Sequence, residues 1–206
     1  MIYLKLGIVC EKGKFPANYV RWVKNNGAQV EIINRMAHMA KIKDLDGLLF
    51  TGGGDLKHYF YSKDKIGIDG DWVRDCFEFM AFQQGKDKAL LGVCRGAQVL
   101  NVFLGGTICD MKNSLSHKGE KDVYHKMFAQ GRILTVNSMH HQRIDRLAPD
   151  FFALGVFGQV IEWAESKKAI LLQFHPERMN DRFFMHRFKN VIKAKRKHKI
   201  YRGVEK

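Results

Sequence analysis

The chain has 206 residues, 46% of them hydrophobic and 27% charged, with 35 Lys and Arg against 21 Asp and Glu and a formal net charge of +14. That profile fits one soluble globular domain; three prolines and the lack of any low-complexity tract exclude a fibrous or disordered chain. Apolar runs reach about eight residues, far short of the roughly 18–20 that span a bilayer.

The N-terminus reads as a first strand rather than a signal peptide, because residues 3–9 alternate and then run apolar. Residues 17–26 follow helical spacing, with Tyr19, Val20, Trp22 and Val23 on one side, and Asn25-Asn26-Gly27 ends them. Val30-Glu31-Ile32-Ile33 is a second strand. Gly47–Phe50 is a buried third that feeds Thr51-Gly52-Gly53-Gly54-Asp55. Helical periodicity through Trp72, Cys76, Phe79, Met80 and Phe82 covers 71–84, and Trp22, Trp72 and the helical phenylalanines are expected in the core.

Ala89–Val93 is another buried strand, and helical spacing resumes over 95–104. Later strands are predicted at 132–136, 151–157, 159–164 and 169–174, with a hairpin at Gly158-Gln159 and a last helix from about 180 into the 190s. Alternating strands and helices predict an α/β fold with a parallel sheet, extended in the second half by the hairpin. No repeat or linker interrupts the chain. Residues 1–181 are therefore expected to form a single catalytic domain, with 182–206 its basic C-terminal helix and tail.

Cys10, Cys76, Cys94 and Cys109 show neither paired nor metal-ligand spacing, which fits a reducing, cytoplasmic compartment. Cys10, Cys76 and Cys109 read as small buried hydrophobes. Cys94 differs. It sits where a buried strand turns into a helix, with Gly92 and Gly96 two residues to either side, the spacing of a nucleophile elbow with cysteine in place of serine. The cramped turn needs neighbours of little bulk, and the helix N-terminus together with Arg95 favours the reactive thiolate. Alone, the pentapeptide fits a structural cysteine in a glycine turn nearly as well.

A thiolate nucleophile needs a base and a group to orient it. Leu171-Leu172-Gln173-Phe174-His175-Pro176-Glu177 offers both at another strand end: His175 to share a proton with Cys94, Glu177 to fix its tautomer. The three glycines after the third strand leave backbone N–H groups unobstructed for a developing oxyanion. Three strand-end motifs with complementary roles point to a hydrolytic or acyl-transfer Cys–His–Glu site.

In this order, Thr51–Asp55, Gly92–Gln98, the Val136–Gln142 string VNSMHHQ and Gln173–Glu177 resemble the class I glutamine amidotransferase superfamily. Within it they are most similar to the peptidase C26 branch of γ-glutamyl hydrolases. Asp71–Glu78 and Leu100–Thr107 support the resemblance, which spans roughly residues 47–178. It implies a flavodoxin-like three-layer α/β sandwich with a mostly parallel central sheet. It also implies Cys94 as nucleophile, His175 as general base and then acid, and Glu177 as orienter. An oxyanion hole would come from the backbone N–H groups of Gly53, Gly54 and Arg95, and Gln98, Asn137, Ser138 and His140 would wall the glutamyl moiety. The segments between Gly54 and Asp71 and between Asp110 and Ile133 would build the substrate rim. Ser138 lacks a glycine elbow of its own. The His140-His141 pair, read on a strand, would point to opposite faces, so neither a serine nucleophile nor a metal is expected; no cofactor is implied.

The implied reaction is hydrolysis of a small-molecule γ-glutamyl amide through a thioester. One alternative is a glutaminase subunit that supplies ammonia to a separate synthetase partner. Another is a catalytically silent binding protein with a basic tail. Residues 182–206 carry ten Lys and Arg against Glu205 alone, so most of the net charge is terminal, a solvated helix end and tail. So placed, it argues little for nucleic acid, and an anionic substrate or acidic partner suits it as well.

Overall fold

The computed structural model describes residues 4–61, 70–111 and 123–204, with side chains through residue 197. Residue 3 of the predicted first strand, and residues 62–69 and 112–122 of the two expected rim segments, lie outside the described residues. In chain order the first half runs β1 (Leu4–Val9), α1 (Ala17–Asn25), β2 (Ala28–Ile33), β3 (Gly47–Phe50), α2 (Trp72–Gly85), β4 (Ala89–Val93) and α3 (Arg95–Phe103). The second half runs β5 (Thr107–Asp110), β6 (Val123–Ala129), β7 (Arg132–Ser138), β8 (Gln142–Arg146), β9 (Phe152–Phe157), β10 (Val160–Glu165), β11 (Ala169–Leu172) and α4 (Phe183–Val204). Short 3₁₀ segments occupy Met36–Asp44 and His58–Phe60.

Strands β2-β1-β3-β4-β11 pair in parallel, the flavodoxin-like order. Strands β10-β9-β6-β7 then continue the sheet antiparallel, with the β9–β10 hairpin turning at Gly158-Gln159 as its sequence predicted. Strands β5 and β8 form a separate antiparallel pair. In β3 and β4 the side-chain alternation sorts one apolar run onto two faces. Leu49 and Leu91 pack with Trp22 of α1 and Phe184, Met185, Phe188 and Ile192 of α4. Leu48, Phe50 and Leu90 pack instead with Ile42, Phe82 of α2 and Ala97 and Leu100 of α3. Those two helical layers bury both sheet faces, which is why the parallel strands read as continuous apolar runs. All the parallel strands therefore end at one edge, and the three glycine, cysteine and histidine motifs converge there.

Helix α2 departs from expectation. Trp72, Val73, Phe79 and Met80 face outward, Trp72 being 49% exposed, whereas Arg74, Asp75 and Glu78 are buried. Phe82 keeps its expected place in the core, but the inward side of the first turns meets Arg95, and the buried charges pair with one another there. Trp72 instead packs against Tyr59 and Phe60, with ring centroids 5.7 and 5.6 Å away. Two cysteines also differ: Cys10 is buried as expected, but Cys76 and Cys109 are only half-buried.

Helix α4 runs on to Val204, and three of its described basic residues are not simply solvated. Arg187 forks onto Glu165 with two bonds of 2.6 Å and lies over the Trp163 ring at 5.1 Å. Arg196 donates through Nε to Asp46 at 3.1 Å, and Lys189 donates to the Asn26 carbonyl. Three of the ten basic residues thus fasten the helix, one to β10 and two to the loops that lead into β2 and β3. Among the described residues no helix is long and apolar enough to cross a membrane.

Candidate active site

The nucleophile candidate stands at a strained junction. Cys94 caps α3 with φ 53° and ψ −115°, a conformation that ordinary residues seldom adopt. Its N–H donates to Leu172 of β11 at 2.7 Å, and its carbonyl accepts from Ala97 and Gln98, so the strained backbone is held from both sides. The flanking glycines are steric requirements: a Cβ on Gly92 would come within 2.7 Å of the Ala97 backbone nitrogen, and one on Gly96 would overlap the Phe50 carbonyl.

His175 follows β11 and is buried. Its Nδ1 lies 2.7 Å from Glu177 Oε1, and its backbone is gripped by Asn137, which accepts the His175 N–H at 2.7 Å and donates to its carbonyl at 3.1 Å. Burial alone would depress the imidazole. The adjoining Cys94 sulfur and the Glu177 carboxylate outweigh it and raise His175 to a pKa of about 10. Nδ1–H is thereby directed to Glu177 and the other ring nitrogen is left for Cys94.

The glycine turn closes the third side. Gly52 lies against both partners: a Cβ there would meet His175 Cε1 at 2.9 Å and Cys94 Cβ at 3.5 Å. Its N–H donates to the Tyr19 hydroxyl at 2.9 Å. Burial, and next the charge of Glu177, hold that phenol well above its ordinary pKa, so it stays protonated beside the carboxylate. The Gly53 N–H meets no acceptor among the described residues, and Arg95, first residue of α3, has no intrahelical partner for its own N–H. Gly54 stands in open space.

The Arg95 side chain does something the sequence did not indicate. Its guanidinium is buried and bonded to Glu78 and Asp75, so it offers no free cation to the thiol. Burial opposes its charge, and the two carboxylates override that effect and raise its pKa.

The four residues expected to wall the substrate are all buried. Gln98 donates to the Gln142 carbonyl at 3.0 Å and to Gln173 Oε1 at 3.2 Å, and Asn137 serves the His175 backbone. Ser138 ends β7, opposite Val123. His140 lies in the loop after β7 rather than on a strand, with Nδ1 3.0 Å from the Gln142 carbonyl and Nε2 3.7 Å from Glu162. Glu162 also receives His125 at 3.0 Å. Burial raises its pKa, but the two imidazoles prevail and hold the carboxyl below its ordinary range. His141 points elsewhere, to Asp55 at 2.9 Å.

Tyr19 and Arg74 were not among the expected site residues, and only the Asp71–Glu78 string hinted at Arg74; Gly52 lay in the expected donor turn, but its N–H is taken by Tyr19. A groove of about 520 Å³, lined among others by Cys10, Glu11, Arg35, Trp72, Arg74 and Met80, lies beside this site and does not include Cys94.

A parallel sheet of this order, with its motifs at the carboxyl edge, puts the chain in the flavodoxin-like class of α/β proteins. A solved structure of a GMP synthase subunit from Thermoplasma acidophilum matches with a TM-score of 0.74 over 98% of this chain and 99% of that one, at 18% identity. A solved glutamine amidotransferase matches with a TM-score of 0.63 over 91% and 98%, at 14% identity. Within that class the chain belongs to the peptidase C26 family, whose sequence profile matches residues 9–177. It is 31% identical over 157 residues to the glutamine amidotransferase-like protein YvdE of Lactococcus lactis, covering 65% of this chain and 66% of that one. It is 24% identical over 196 residues to the glutamine-hydrolysing GMP synthase subunit of Thermoplasma acidophilum, covering 92% of each.

Proposed function

We propose that the protein hydrolyses a γ-glutamyl amide by covalent catalysis at Cys94, with His175 and Glu177 completing the triad. The observation that carries this reading is the strained Cys94 at the start of α3 beside a His175 whose Nδ1 is 2.7 Å from Glu177. Cys94 sulfur attacks the γ-carbonyl, and the oxygen takes the negative charge facing the Gly53 and Arg95 N–H groups. The tetrahedral species collapses: the C–N bond breaks and imidazolium His175 gives its proton to the departing amine. His175, now neutral, takes a proton from water as the hydroxyl adds to the thioester. The C–S bond then breaks, glutamate leaves and the cysteine is regenerated.

A second reading has its own support. Similarity to the Thermoplasma GMP synthase subunit over 92% of both chains suits a glutaminase that passes ammonia to a separate synthetase. Purified protein distinguishes the two. Turnover of glutamine and γ-glutamyl amides by the chain alone supports the hydrolase, and turnover of glutamine only after a synthetase is added supports the ammonia-supplying role. Labelling of Cys94 by 6-diazo-5-oxo-norleucine, lost in Cys94→Ala together with hydrolysis, is expected under both. Absence of labelling would leave a silent binding protein.

A further inference from the structure

Helix α2 sends three charged side chains inward, and they reach both walls of the oxyanion site. Asp71 caps the helix by accepting the N–H groups of Val73 and Arg74 at 3.0 and 3.1 Å, which fixes the phase that buries Arg74, Asp75 and Glu78. Every nitrogen of the Arg74 guanidinium is engaged: Nε donates to Glu78 Oε1 at 2.9 Å, Nη1 to Glu11 at 3.4 Å and Nη2 to the Gly52 carbonyl at 2.9 Å. Glu78 and Asp75 take the other arm of the network, the guanidinium of Arg95, and Asp75 also accepts the Lys57 N–H at 3.0 Å. The glycine turn and the first residue of α3 therefore hang on one ionic brace.

The peptide between Gly52 and Gly53 is trans, so its C=O and N–H point in opposite directions. With Arg74 holding the carbonyl, the Gly53 N–H is turned the other way. Neither flanking residue has a side chain, so little else resists rotation of this peptide. Rotated by half a turn, it would present a carbonyl where a donor is required. Gly53 also has φ 154°, and a Cβ there would overlap the Arg74 guanidinium, so the close approach depends on glycine.

We infer that Arg74 is a positioning residue that locks the Gly52–Gly53 peptide with its N–H toward the oxyanion, braced through Glu78 against Arg95. This rests on the hydrolase reading above. An oxyanion donor acts in the transition state, so its loss lowers kcat and leaves KM nearly unchanged.

The test uses the full chain with γ-glutamyl-p-nitroanilide as substrate, glutamate γ-semialdehyde as a reversible thiohemiacetal-forming inhibitor, and iodoacetamide, which needs no oxyanion hole. Arg74→Lys keeps the charge in the network but cannot fork to both Glu78 and Gly52, and it guards against failure of Arg74→Ala to fold. The expected result is a kcat lower by about 10²- to 10³-fold in Arg74→Ala, the cost of one oxyanion donor, and by roughly tenfold in Arg74→Lys. KM should stay within about threefold, aldehyde affinity should fall in step with kcat, and the rate of Cys94 alkylation should hold. Unchanged kcat and aldehyde affinity in both variants would overturn the inference. So would parallel loss of catalysis and alkylation in folded Arg74→Lys, which would mean general damage to the site. If the wild type turned over no γ-glutamyl probe, the hydrolase reading would fall. The Arg74 inference would still be decided by whether the aldehyde binds the wild type more tightly than the variants.

Discussion

Asn137 and His175 form a reciprocal clamp: the Asn137 side chain accepts the His175 N–H at 2.7 Å and donates to the His175 carbonyl at 3.1 Å, with both residues buried. The end of β7 thereby fixes the residue that follows β11, although three strands separate them in the sheet. Truncating Asn137→Ala leaves a donor and an acceptor of the His175 backbone without partners. The expected cost is about 1–3 kcal/mol in denaturant unfolding, with loss of hydrolysis beyond what the stability change explains. Asn137→Asp should restore the acceptor and not the donor, and fall between.

The bond from His175 Nδ1 to Glu177 Oε1, 2.7 Å, fixes the imidazole with its other ring nitrogen toward Cys94. Glu177→Gln preserves shape and removes the charge. Hydrolysis should fall by about 10²- to 10⁴-fold in kcat, as when the orienting carboxylate of a triad is neutralised. The His175 resonances in an NMR titration should shift to a lower pKa, because one of the two groups that raise it is gone.

The pH dependence has a defined sign. His175 holds its proton more tightly in the folded chain, with a pKa of about 10 against 6.5 unpaired. Its contribution to stability is complete below about pH 6.5 and disappears as pH rises through about 10. Thermal melts from pH 6 to 10.5 should show a falling midpoint on the alkaline side, and Cys94→Ala should flatten that slope, since the cysteine is the foremost group sustaining the raised value.

The elbow glycines offer a steric test. Gly96→Ala would drive a methyl into the Phe50 backbone and Gly92→Ala one into Ala97, so each should destabilise by about 1–3 kcal/mol. Gly54→Ala meets nothing within 4 Å and should melt within about a degree of the wild type. Differential scanning fluorimetry of the three variants checks this ranking.

For α4, Arg187→Ala removes the fork to Glu165 and the contact with Trp163, and should cost roughly 1 kcal/mol, less in high salt. Lys197→Ala, for which the described residues show no ion pair, should change the melting temperature very little. Equal effects of the two would contradict a packing role for the basic helix.

Strands β1, β3, β4 and β11 were legible because each is buried on both faces and reads as an apolar run, and the motifs at their ends could be placed from that alone. Strand β6 was not. Its inward Met127 and Ala129 alternate with exposed Tyr124 and Phe128, so hydrophobicity on both sides erased the period-two signal. Strands β5 and β8 are short and rich in polar residues, and they exist through pairing with each other.

Residue types and their spacing alone placed the reactive groups at the sheet edge: a cysteine flanked by two glycines, a histidine two residues from a glutamate, and a triple-glycine turn, each after a strand whose composition requires burial. What supports them emerges only in the folded chain. Apolar spacing in α2 pointed Trp72 and Phe79 to the core, yet Arg74, Asp75 and Glu78 occupy the buried side. Periodicity registers the affinity of a side chain for water as a lone group, and buried charge is stable only where opposite charge from another element meets it. Here that charge is Arg95, next to Cys94, and no local pattern in α2 could announce it.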